Sequence, residues 1–165
     1  MTELIYLAGR YSRRAELAEY AKDLEKCEAE VTSTWLKGLH AHRDDVGEAN
    51  ERENWAKEDL YDINRANTLL LFTDSEPMTR GGCLVEFGVA LAQGKNVAVI
   101  GPKTHVFCYL PDVMWWPNWG STPWMQKPVI DLTGLAANTT TSDGGYLNIE
   151  LPPAEAKKMM TEGRE

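Results

Sequence analysis

Cysteine is scarce in this chain of 165 residues, and the three present, Cys27, Cys83 and Cys108, are an odd number at wide spacing. No CxxC pair occurs, so neither a zinc knuckle nor a dithiol redox centre is expected, and the thiols read as reduced packing groups. Histidine is equally sparse. His40 and His42 flank Ala41 in a polar stretch with no cysteine nearby, short of the three or four convergent ligands that a metal site requires. Neither a metal nor a cofactor is expected. Basic charge is also deficient: 17 Lys and Arg face 25 Asp and Glu, a net charge of -8. That field repels a phosphate backbone, which argues against a nucleic acid polymer as partner. No apolar run reaches the length of a membrane span. Met1-Thr2-Glu3 leads straight into an apolar stretch rather than a basic, apolar, small-residue signal, so a cytoplasmic protein is expected.

What is present suits one packed core, since 43% of the residues are hydrophobic. Leu4-Ile5-Tyr6-Leu7-Ala8, ended by Gly9, reads as a buried parallel strand closed by a turn. Ser12 to about Glu28 carries Leu17, Tyr20, Ala21 and Leu24 at helical spacing, with Ser12 as the expected N-cap. Val31 to Leu36 alternates weakly and suggests a second strand, and Lys37 to Glu48 a loop. Ala49 to Ala66 is a predicted helix with Trp55, Leu60 and Ile63 as its inner stripe. Thr68 to Phe72 is the clearest central strand. A loop, Gly81-Gly82, and a helix to about Gln93 follow, then the strand Asn96 to Ile100. This alternation predicts an α/β fold: an open, mostly parallel five-stranded sheet with helices on both faces, binding its ligand at the carboxyl ends of the strands.

The last third differs in texture. Tyr109 to Trp124 holds four of the six tryptophans, Trp115, Trp116, Trp119 and Trp124, among prolines and glycine. That mixture argues against a simple helix or strand and leaves a lid, a dimer surface or a stacking platform open. Val129-Ile130 is a candidate last strand. The expected organisation is a domain over 1–133 with a C-terminal extension over 134–165 that is in part mobile, Ala136 to Gly145 being small and polar and Pro152 to Glu165 a candidate for a short charged helix.

Glu86 falls in the second turn of its predicted helix, with Gly82, Cys83, Val89 and Ala90 on the same face. Small and apolar neighbours place that face inward, where an unpaired carboxylate is costly. It is therefore either paired, capping its own helix, or functional. Asp59 and its neighbour Asp62 lie on a helix whose acids could equally be a solvated face. Gly9, Arg10, Ser12, Arg13 and Arg14 follow the first strand, where backbone N–H groups and guanidinium forks suit a phosphate or a sugar hydroxyl. Thr79-Arg80-Gly81-Gly82 opens a later helix in the same way but lacks dinucleotide and P-loop spacings.

Taken in order, Ile5 to Gly9, Glu58-Asp59-Leu60 with Ile63 and Ala66, Leu69 to Leu71, and Gly82 to Lys95 resemble the nucleoside 2-deoxyribosyltransferase family and its relatives, the 2'-deoxynucleoside 5'-monophosphate N-glycosidases. The resemblance covers about residues 4 to 113, and its most specific piece is Glu86-Phe87-Gly88 through Gly94-Lys95. It implies a Rossmann-like or flavodoxin-like frame with Glu86 as nucleophile on a deoxyribosyl carbon. It further implies that Asp59 holds the sugar hydroxyls or Glu86 itself, and that Tyr6 orients the nucleophile. Asp74 is the nearest acid for the departing base. Asn118 or Asn148 is a candidate for the Asn that a neighbouring subunit supplies in the family. Gly9, Arg10, Ser12, Arg80, Gly81 and Gly82 line the implied substrate loops. The implied partners are a 2'-deoxynucleoside or its monophosphate and a free nucleobase, in a homodimer or larger homo-oligomer. Transfer of the sugar to another base is the expected activity; hydrolysis of a deoxynucleoside monophosphate and non-catalytic nucleotide sensing are the alternatives.

Overall fold

The computed structural model describes residues 2–38, 49–75 and 81–126. Five strands, β1 (Leu4–Ala8), β2 (Glu30–Val31), β3 (Thr68–Phe72), β4 (Asn96–Ile100) and β5 (Val113–Trp116), form one sheet in the order β2-β1-β3-β4-β5, and every neighbouring pair is parallel. That is the flavodoxin-like order, with its crossovers on both faces. Because parallel strands in such sheets are covered on both sides, they read as unbroken apolar runs. Leu69, Leu70 and Leu71 of β3 have no exposed surface.

Three helices cover the sheet: α1 (Arg14–Lys26), α2 (Ala49–Arg65) and α3 (Gly82–Ala92). Strand alternation sorts their faces. Tyr6 sits opposite Leu69, so both point the same way, while Leu7, Leu70 and Phe72 point the other way. Phe72 stacks on Tyr20 of α1, and Tyr6 meets the acids of α2 and α3; α1 thus covers one face and α2 with α3 the other. Helix α3 ends in a Schellman arrangement, with Gly94 at φ +66° and Lys95 N–H donating to Ala90 O. Just beyond that end, Lys95 Nζ donates to Asn64 O and Ala66 O, and Gln93 donates to Asn64 Oδ1, pinning the last turn of α3 to that of α2.

The structure corrects four expectations. Ser12 is no N-cap: Tyr11–Arg13 form a 3-10 turn, and α1 begins at Arg14 without a side-chain cap. The second strand stops at Val31, because Ser33 takes over the pairing: its hydroxyl accepts from Leu7 N–H, and Thr34–Lys37 then coil into a 3-10 turn. Leu60 faces outward at 43% exposure, so the inner stripe of α2 is Trp55, Asp59, Asp62 and Ile63. The tryptophan-rich segment does contain a strand, since Val113–Trp116 pairs with β4 from Val97 to Ile100.

Of the four tryptophans in that segment one is buried, two are half-buried and Trp115 is exposed. Trp119 is buried and stacks on Tyr20 and Trp124, Trp116 meets Trp124 edge-on, and Trp115 Nε1 donates to Gly101 O. Cys27, Cys83 and Cys108 are free thiols. Val129-Ile130, His40, His42, Asn148, the candidate helix from Pro152 to Glu165 and the expected boundary after residue 133 lie outside the described residues. Among the described residues no helix is long and apolar enough to cross a membrane.

Candidate functional site

Tyr6 is the middle residue of β1, and its ring is fully buried against the α2/α3 face. Its hydroxyl lies between two carboxylates, Asp59 on α2 and Glu86 on α3, at contacts too long or too bent to be full hydrogen bonds. A buried phenol without a satisfied hydroxyl is costly and marks a place where polar atoms converge without being saturated. Burial, then the charges of Glu86, Asp59 and Asp62, push the Tyr6 phenol well above its ordinary value, so it stays a proton donor.

Glu86 is half-buried as a residue, while its carboxyl group is deeply enclosed. Enclosure, then the charge of Asp59, push its pKa up to about 8, and interaction with the Tyr6 hydroxyl opposes the rise. Its helical neighbours explain the enclosure: Cys83 and Ala90 are buried and Val89 half-buried, while Gly82 is exposed. Burial and the Glu86 charge also raise the Cys83 thiol, with Arg10 acting in the opposite direction. This thiol is therefore not an activated nucleophile. Asp59 is half-buried, one helical turn before Asp62, which is 2% exposed. Tyr6, Asp59 and Glu86 thus converge from three elements at the carboxyl side of the sheet, with Asp62 and Cys83 beside them.

The loops around this cluster are partly self-neutralised. Arg10 pairs with Asp74 at 3.1 Å, linking the ends of β1 and β3. Arg13 is held by both oxygens of Glu16 at 2.8 Å and donates to Thr73 O. Ser12 is exposed. A side chain at Gly9 would press on Leu17 and Phe72, so this glycine lets α1 approach the sheet. Gly81 is left-handed at φ +66° and starts α3, as a glycine tolerates. Arg80 lies outside the described residues.

Asn118 stands apart from the Glu86 cluster. It caps the 3-10 turn Trp119–Ser121, accepting from the Ser121 N–H, and lines a cavity of about 210 Å³ with Trp119, Tyr20 and Phe72 on the α1 face. Sequence reasoning named Asp62 only as a companion of Asp59. Its apolar spacing with Ile63 and Ala66 along α2 was the available signal of burial. Among the described residues, no group of three or more His, Cys, Asp or Glu is arranged to hold a metal ion.

A parallel flavodoxin-like sheet with two carboxylates and a buried phenol converging on its α2/α3 face defines an α/β protein with an enclosed acidic cluster. The chain belongs to the nucleoside 2-deoxyribosyltransferase family, whose model matches residues 5–147. Among solved structures it is similar to a 2-deoxyribosyltransferase from the psychrotolerant bacterium Bacillus psychrosaccharolyticus, with 21% identity, a TM-score of 0.51, and coverage of 62% of this chain and 75% of that one. At that identity the likeness concerns the fold. No curated protein matches the chain.

Proposed function

We propose that the protein is a cytoplasmic N-deoxyribosyltransferase that cleaves the N-glycosidic bond of a 2'-deoxynucleoside and passes the sugar to another base, with Glu86 as nucleophile. The observation that carries this reading is the enclosed Glu86 carboxyl facing Asp59 and the buried Tyr6 hydroxyl. An ionised Glu86 oxygen bonds to the anomeric carbon as the C–N bond breaks, and the electron pair of that bond leaves with the base. The base takes up one proton, and the proton that Glu86 sheds on ionising balances it. A nitrogen of the incoming base then attacks the same carbon, the ester bond returns its electrons to Glu86, and the proton that nitrogen carried passes back to the Glu86 carboxylate. Two inversions give retention, as in retaining glycosidases.

The environment suits that sequence. A carboxylate destabilised by enclosure and by Asp59 gains most when a cationic, oxocarbenium-like sugar develops beside it. Asp59 holds the sugar hydroxyls in this reading, and Tyr6 donates to Glu86 and fixes its orientation. Asp74 touches a guanidinium through one carboxylate oxygen, an acceptor's arrangement that does not favour it as the acid for the departing base. The pairing of Arg10 with Asp74 and of Arg13 with Glu16 leaves these guanidiniums engaged by acids. That favours an uncharged nucleoside over its 5'-monophosphate.

The test incubates each of four deoxynucleosides, and their monophosphates, with a second free base. Exchanged nucleoside with wild type, its absence with Glu86→Ala, and a deoxyribosyl adduct on Glu86 by mass spectrometry are expected. Release of free deoxyribose 5-phosphate without exchange would assign hydrolysis instead. Near-normal turnover by Glu86→Ala would remove the nucleophile.

A further inference from the structure

Asp62 is a buried carboxylate that the proposed chemistry leaves without a task. It is 2% exposed, and its Oδ2 accepts from both the Thr34 N–H at 2.8 Å and the Thr34 hydroxyl at 2.6 Å. Burying a carboxylate is expensive unless its oxygens are hydrogen-bonded, and here the partners are two neutral donors on one residue. The turn that Thr34 opens is itself tied to β1. Ser33 Oγ accepts from Leu7 N–H at 2.6 Å, and Trp35 Nε1 donates to Leu7 O at 3.0 Å. Leu7 follows Tyr6 in the strand, and Asp62 follows Asp59 by one helical turn. Hydrogen bonds joined through the backbone of Ser33–Trp35 therefore connect α2 to the strand backbone beside Tyr6.

We infer that Asp62 is a positioning residue: through Thr34 it holds Asp59 and Tyr6 at a fixed separation beneath Glu86, so that the transition state meets a preset arrangement. The inference rests on the assignment of Glu86, Asp59 and Tyr6 to the reacting cluster. Catalytic constellations depend on sub-ångström placement, and a misplacement of about 1 Å costs on the order of a hundredfold in rate. Losing the clamp should therefore act on the chemical step rather than on substrate affinity.

The experiment is steady-state base exchange with wild type, Asp62→Ala, Asp62→Asn and Thr34→Val, each checked for folding by circular dichroism. Asp62→Ala should lower kcat roughly ten- to a hundredfold with KM within about threefold. Asp62→Asn keeps an oxygen that can accept from both Thr34 donors and should restore at least about a third of kcat. Thr34→Val, which removes only the hydroxyl bond, is the gentler variant should the alanine protein fail to fold, and should lower kcat roughly threefold or more. A folded Asp62→Ala or Thr34→Val protein with kcat within about twofold of wild type overturns the clamp. So does an asparagine variant as impaired as alanine, since the charge and not the hydrogen bonds would then matter. A wild type without turnover overturns the functional reading itself and this role with it, whereas an active wild type with silent variants overturns the role alone.

Discussion

Replacing Glu86 by glutamine should make the protein more stable at neutral and alkaline pH while silencing it. The Glu86 pKa rises from 4.5 to about 8 on folding, so between those values the unfolded chain carries an ionised glutamate and the folded one a protonated group. The stability contributed by this group is fully present below about 4.5 and is lost as pH rises through about 8. That rise of about 3.5 units, at ~1.36 kcal/mol each, sets an upper bound of ~5 kcal/mol above pH 8. The residue is half-buried, and partial hydration trims that to ~2–4 kcal/mol. Glutamine is neutral at every pH, keeps an oxygen facing the Tyr6 hydroxyl, and ends the repulsion from Asp59. Urea unfolding at pH 5, 7 and 8.5 should therefore show the variant's advantage growing from near zero to its maximum with m unchanged. A constant difference across the series, or a wild type that gains on the variant as pH rises, would refute the account of an enclosed, raised carboxyl.

The neighbours of Glu86 move its titration in opposite directions. Tyr6→Phe removes the interaction that lowers the Glu86 pKa, so the acid limb of the kcat/KM profile for base exchange should shift to higher pH, with activity down roughly ten- to a hundredfold. Because the Tyr6 hydroxyl is poorly satisfied, the stability of that variant in urea should change by less than ~1 kcal/mol. Asp59→Asn removes the charge that raises Glu86, and the same limb should shift to lower pH; movement of either limb the other way contradicts the arrangement. Trp119→Ala, on the α1 face, strips a buried ring from Tyr20 and Trp124. It should cost ~3–5 kcal/mol in thermal or urea unfolding yet leave KM near wild type where the variant remains folded.

Much of this arrangement is legible in the sequence, for physical reasons that also explain the gaps. The runs Leu4–Ala8, Thr68–Phe72 and Asn96–Ile100 announce themselves because a parallel strand covered on both faces must be apolar throughout. The inward face of Glu86 follows from helical spacing alone. Strand β5 is hidden because it lies at the sheet's edge and exposes Met114 and Trp115, so no unbroken buried run identifies it. The extent of β2 is hidden for another reason: Ser33 imitates a strand partner with its side chain, which no propensity records. Asp62 escapes because an acid on a helix reads as solvated until its partner, Thr34, is brought in from 28 residues away.

The fastening of α3 to α2 through Lys95 and Gln93 bears on the spacing of the two acids. Asp59 and Glu86 each stand six residues before the end of their helix, at Arg65 and Ala92, and the pins lie just beyond those ends. The two helices are laid out like the legs of a pair of callipers, joined near the amino ends of the strands, with the acids carried at nearly equal reach, about 9 Å along each leg. A tilt of about 5° at the joint would alter the gap between the carboxylates by about 0.8 Å, the scale on which a bound ring is gripped or released. In the proposed reaction the lysine of the Gly94-Lys95 pair would act from the far end of the helix, by fixing the joint from which the two acid-bearing legs extend.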